Sequence, residues 1–137
     1  VYLQLIRETL GGTGATVQDL LVVPDDKAAI QSAIRKWTAE GVRFIFTTGG
    51  TGLGPRDVTG EAVKELLEKD APGIAEAMRN HGQMRTPLAM MSQSVAGTIG
   101  NTMVITLPGS TSGVRESLEA ILPAVFHASE ILDGGGH

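Results

Sequence analysis

The sequence contains no cysteine. That excludes disulfides, cysteine-ligated zinc and a thiol nucleophile, and it fits a reducing, cytoplasmic compartment. Aromatic residues make up only 4% of the 137 residues, and no lysine- or arginine-rich run occurs. Without a basic stripe carrying interleaved aromatics, no nucleic-acid interface is expected. The net charge is −4, so any bound anion must be held by local geometry against an unfavourable overall field. No apolar run approaches the roughly 20 residues that cross a bilayer, and no membrane insertion is expected. The three histidines, His81, His127 and His137, share no metal-ligand spacing.

Glycine is what the chain has in abundance, 18 in all. Gly49, Gly50, Gly52 and Gly54 fall within one short stretch, which follows Phe44-Ile45-Phe46 after Thr47-Thr48. Those three residues read as a buried strand, being apolar, aromatic and β-branched. Glycines after such a strand let backbone N–H groups approach a ligand closely, an arrangement suited to phosphate. No Gly-Lys-Ser/Thr follows, so this is not a P-loop, and the spacing is not that of a dinucleotide fingerprint. The loop ends in Arg56, Asp57 and Thr59, which put a cation, an anion and a hydroxyl beside the glycines.

The rest of the chain alternates. Leu3, Ile6 and Leu10 have helical spacing before Gly11-Gly12, and 15–23 reads as a strand ended by Pro24. Asp25 or Asp26 can cap a helix with Ile30, Ile34 and Trp37 on one face. A helix is expected over 61–68, another over 74–81 after Pro72-Gly73, and a short one after Thr86-Pro87. Strands over 95–99 and 103–107 flank Gly100-Asn101 as a hairpin. Pro108 to Ser112 opens a last helix with a break at Pro123. Met84, Met90, Met91 and Met103 read as core fillers, and Arg79 and Arg85 as solvated, with a reach to phosphate from a neighbouring loop as the alternative for Arg85. Helices alternating with strands in this way predict an α/β fold, a three-layer sandwich with a mostly parallel sheet, helices on both faces and a small hairpin. Residues 1–133 form one domain in this reading, and 134–137 a flexible tail.

Two loops, 48–59 and 108–112, follow the carboxyl ends of strands, where open α/β sheets bind ligands. Asp57 beside a phosphate site suits a Mg²⁺ ligand, because like charges need a cation between them. The alternatives for Asp57 are a helix cap or an ion pair with Arg56. For Asp25, and for Ser110 to Ser112, capping stands beside binding.

With these residues in view, the chain resembles the molybdopterin adenylyltransferases, and in particular the G domains of the plant molybdenum cofactor enzyme and of gephyrin. The likeness rests on Val23-Pro24-Asp25-Asp26, Thr47-Thr48-Gly49-Gly50-Thr51-Gly52, Pro55-Arg56-Asp57-Val58-Thr59, Thr86 to Ser92 and Leu107-Pro108-Gly109-Ser110. The resemblance implies transfer of AMP from Mg-ATP to the terminal phosphate of molybdopterin. It implies Asp57 and Asp25 as the functional acids, with Asp57 on the metal. Thr48, Gly49, Gly50, Thr51, Gly52, Arg56, Thr59, Ser92, Pro108, Gly109 and Ser110 are then the substrate-binding residues. It also implies a homotrimer and an association with a molybdenum insertase domain. A non-catalytic, trimeric scaffolding G domain of the gephyrin kind is the alternative. The nucleotide-processing domain of nicotinamide mononucleotide deamidase proteins shares a glycine loop but not Pro55-Arg56-Asp57. Two departures stand out. Gly60 occupies a position where the family usually has proline, and the family's first strand with its Ser-Asp loop is not in this sequence. The chain is therefore expected to be a portion of a longer protein.

Overall fold

The computed structural model describes residues 17–122 and 124–127. The expected first helix with Gly11-Gly12 after it, and the tail at 134–137, lie outside them. The described elements run α1 (Lys27–Ala39), β1 (Phe44–Thr48), α2 (Thr59–Leu66), β2 (Lys69–Asp70), α3 (Pro72–Gln83), a 3₁₀ turn (Pro87–Met91), β3 (Ala96–Ile99), β4 (Thr102–Leu107) and α4 (Thr111–Ile121). The sheet has the order β1-β4-β3-β2. β1 pairs with β4 in parallel, and the β3–β4 and β2–β3 ladders are antiparallel. Helices lie on both faces, as the alternation predicts, while the sheet of the described residues is mixed, with one parallel and two antiparallel ladders where a mostly parallel sheet was expected.

β4 is buried at every position, and its successive side chains feed the two opposite cores. Met103, Ile105 and Leu107 join Val114, Leu118 and Ile121 of α4 and Ala75 and Met78 of α3 on one face. Val104 joins Ile45, Ile30 and Ile34 of α1, and Ala62 and Val63 of α2 on the other. Phe44 sits edge-on to Phe126, ring centroids 4.9 Å apart, so residues 124–127 pack on the first of these cores. α4 stops at Ile121 with Leu122 extended (φ −91°, ψ 143°), as the residue before Pro123 prefers. At the hairpin, Gly100 has φ +57° and Asn101 does not share the positive value. That is the pattern of a two-residue turn with glycine first.

Three expectations need correction. Residues 17–24 form no strand. Leu20, Leu21 and Val22 are exposed, and only Val23 packs on a core. An apolar run becomes a strand only when a ladder takes up its backbone groups, and no described strand lies beside this one. Pro72 begins α3 at its first turn, where its missing N–H costs nothing. Of the four methionines read as core, Met103 is buried, while Met84, Met90 and Met91 are exposed.

Candidate functional site

The glycine-rich loop is tied down at both ends. Gly49 N–H donates to Leu107 O (3.0 Å), and Thr59 N–H donates to Gly50 O (3.2 Å). Gly49 and Gly50 have φ of +87° and +71°, and a side chain at Gly50 would run into Thr59 Oγ1. The loop's far end is closed by Asp57, whose Oδ2 accepts from Gly54 N–H at 2.9 Å. The same carboxylate lies against Gly52 and Gly54, where a Cβ would sit 2.8 Å from Oδ2.

This geometry sets aside two readings of Asp57, the helix cap and the ion pair with Arg56. α2 is capped by Val58, without a side-chain bond, so Asp57 is not a helix cap. It forms no ion pair with Arg56, which is exposed. Its carboxylate folds back into the glycine loop, and Oδ1 has no hydrogen bond among the described residues. Asp25 and Asp26 separate just as clearly. Asp26 Oδ2 accepts from Ala29 N–H at 2.9 Å and caps α1, which leaves the exposed carboxylate of Asp25 without a partner among the described residues.

The second loop meets the first, with a Cβ on Gly109 lying 3.4 Å from Gly49 Cα. Ser110 caps α4 by accepting from Gly113 N–H at 3.0 Å, and its hydroxyl proton remains available. Between the loops and helices α3 and α4 lies a cleft of about 340 Å³. Thr51, Gly52, Ser92, Pro108 and Ser110 line it, so five of the expected residues come together there. Gly49, Gly50, Gly109, Thr59 and Asp57 form the loop framework beside it. Thr48 is exposed at the carboxyl end of β1. Arg56 and Asp25 do not line the cleft.

Beyond Ser92, several groups in and beside the cleft carry no mark in the sequence. Gln93 N–H donates to Thr51 O at 2.7 Å, which fastens segment 92–94 to the glycine loop. Ser92 Oγ and Ser94 Oγ are 2.8 Å apart. Arg79, read as solvated, and Arg85, for which phosphate contact stood as the alternative, both line the cleft. Arg79 Nη1 donates to Ser94 O (3.0 Å) and Ser92 O (3.4 Å), and Arg85 Nε is paired with Glu116 Oε1 at 2.6 Å. Thr86, as expected, caps the 3₁₀ turn by accepting from Leu88 N–H. Among the described residues no three His, Asp or Glu side chains form a metal cage.

Residues 2–127 match a protein family described as a probable molybdopterin binding domain. The molybdenum cofactor biosynthesis bifunctional protein of Chlorobaculum tepidum is 42% identical over 133 residues, 97% of this chain and 43% of that protein. Gephyrin of Dictyostelium discoideum is 46% identical over 112 residues, 82% of this chain and 16% of that one. The chain thus spans less than half the length of either relative. Molybdenum cofactor biosynthesis protein B of Staphylococcus aureus is 39% identical over 129 residues, 90% of this chain and 77% of that protein. Among solved structures, the molybdopterin biosynthesis enzyme MoaB of Thermus thermophilus superposes with a TM-score of 0.91 at 46% identity. That match covers 97% of this chain and 84% of MoaB. On the fold, the two apposed loops and these matches together, the chain belongs to the molybdopterin-binding domain family of the molybdenum cofactor biosynthesis proteins.

Proposed function

We propose that the domain transfers AMP from Mg-ATP to the terminal phosphate of molybdopterin. In this reaction a phosphate oxygen of molybdopterin attacks the α-phosphorus of ATP. A new P–O bond forms, the bond to the β-phosphate oxygen breaks, and pyrophosphate leaves with the electron pair. Such chemistry asks a protein for positioning and charge neutralisation rather than a nucleophile.

The observation that carries this reading is the placement of Asp57. Its carboxylate is held at the glycine loop by Gly54 N–H, and neither helix capping nor Arg56 uses it. One carboxylate with a free oxygen, beside a loop able to cradle phosphates, fits Mg²⁺. That ion takes one or two carboxylates and completes its shell with substrate oxygens and water. When bound, Mg²⁺ supplies the charge neutralisation that lets a carboxylate and ATP share a site. Asp57 orients that charge, and the glycine loop and Ser110 bind phosphate oxygens. Asp25, freed from capping by Asp26, is the second functional acid. The remaining expected contacts, Thr48, Arg56 and Thr59, belong to the same substrate edge.

Assembly as a homotrimer, association with an insertase domain and a cytoplasmic location are part of this proposal. The likeness to gephyrin supports a second reading, a trimeric scaffold without catalysis. The intact chain, incubated with molybdopterin and Mg-ATP, is expected to form adenylylated molybdopterin and pyrophosphate. No product, under conditions where an established adenylyltransferase of the family turns over, contradicts the enzyme reading. Trimers that bind neither pterin nor nucleotide favour the scaffold.

A further inference from the structure

The wall of the cleft opposite the glycine loop is built by α3 and α4, and its charges are not balanced. Arg85 is neutralised by Glu116, whose side chain is only 19% exposed. Arg79, in the same cleft, touches two neutral carbonyls and has no carboxylate partner among the described residues. A half-buried guanidinium loses hydration without gaining a counter-charge, and an incoming anion supplies it. A second feature points the same way. Ser117 of α4 is 4% exposed and lines the cleft, yet its hydroxyl has no hydrogen bond among the described residues. Among the described residues only Thr47 Oγ1 is fully buried without a partner, so the Ser117 hydroxyl opens on the cleft, where a ligand or water can take its proton in a hydrogen bond.

We propose that the α3–α4 wall is an oxyanion subsite for a phosphomonoester, with Arg79 as its charge and Ser117 as its hydroxyl donor. It deepens the adenylyl-transfer reading, and rests on it for the substrates that bring the phosphate. Arg79 also holds the carbonyls of Ser92 and Ser94, and Gln93 between them holds Thr51 of the glycine loop. Occupancy of the subsite is thereby linked to the loop. The Arg85–Glu116 pair limits the field: with Glu116 neutral, Arg85 adds a second uncompensated cation to the cleft.

The test is an NMR titration of the intact chain with inorganic phosphate, which needs no turnover and stands apart from the transfer assay. Amide shifts are expected at 92–94 and 113–117. Arg79→Gln is expected to weaken binding about tenfold, the scale of one charge-assisted hydrogen bond. Arg79→Lys, which keeps the charge, restores most of it. Ser117→Ala costs about threefold, the scale of one neutral hydrogen bond, and Glu116→Gln tightens binding. Unchanged affinity in Arg79→Gln, or no gain in Glu116→Gln, overturns the subsite. If Arg79→Gln does not fold, Ser117→Ala and Glu116→Gln decide by the same criteria. AMP and a pterin phosphomonoester, titrated against bound phosphate, separate the two sources. The one that displaces it is the natural occupant, and displacement by neither overturns the proposal.

Discussion

Gly50 shows how one residue fixes the site. Its φ of +71° lies where an L side chain is strained, and the space above it is already taken by Thr59 Oγ1. Gly50→Ala combines both penalties and is expected to cost about 2 kcal/mol or more, read as a drop in denaturant midpoint. Gly60, at the position where the resemblance leads one to expect proline, is buried, and a Cβ there would stand 2.7 Å from Gln93 O. The departure is therefore matched by close packing of α2 against segment 92–94. Thr47 offers the opposite case. Its Oγ1 is buried without a hydrogen bond, so Thr47→Val is expected to leave stability unchanged or raise it by up to about 1 kcal/mol, measured by thermal unfolding. The glycine loop could be read from sequence because positive φ and close approach select glycine so strongly. Arg79, Glu116 and Ser117 could not be, because helices distant in sequence bring them together and no spacing marks them.

Helix α1 separates two neighbouring acids by role. Asp26→Ala removes the cap and is expected to cost about 1 kcal/mol, whereas Asp25→Ala should leave the melting temperature unchanged and lower adenylyl transfer. Equal melting losses in both variants would reassign Asp25 to the helix. The sequence could name the pair but not divide it, since either residue satisfies the capping pattern. α1 also meets α2 through Lys27, which pairs with Glu65, and Gln31, which donates to Ala62 O at 3.0 Å. The hydrogen bond from Lys27 holds the Glu65 carboxyl below the ordinary glutamate value of 4.5. A depressed folded value means that this contribution is present above the unfolded value and is lost as pH falls through the folded one. Lys27→Ala should raise the Glu65 titration midpoint, as followed by carboxyl NMR. With both groups solvent-exposed, the effect on stability is small and weakens with salt. Segment 17–23 carries the other lesson of this level. Its apolar run reads as a strand, but pairing is a property of neighbours, and residues 17–24 have no described partner strand.

Across the whole molecule, two cores clamp β4 from opposite faces and bring loops 48–59 and 108–112 to one edge of the sheet. The layer order follows from the alternation of helices and strands and was legible in advance. The antiparallel β3–β4 pair was legible as well, from the Gly100-Asn101 hairpin turn, but β2 was not, because a two-residue strand such as Lys69–Asp70 leaves almost no periodicity to read. Light scattering of the intact chain is expected to report a trimer, and a stable monomer would remove both the scaffold reading and the proposed assembly. The central claim is that Asp57 carries charge to the phosphates. Asp57→Asn keeps an oxygen able to accept from Gly54 N–H, so the melting temperature and pterin affinity should hold. Loss of the charge should slow adenylyl transfer at least about tenfold, which requires only roughly 1.4 kcal/mol at the transition state. Single-turnover transfer by Asp57→Asn, measured beside those two controls, is the decisive experiment. A slowed reaction on an intact fold is the predicted result, and transfer at the parent rate would contradict the account.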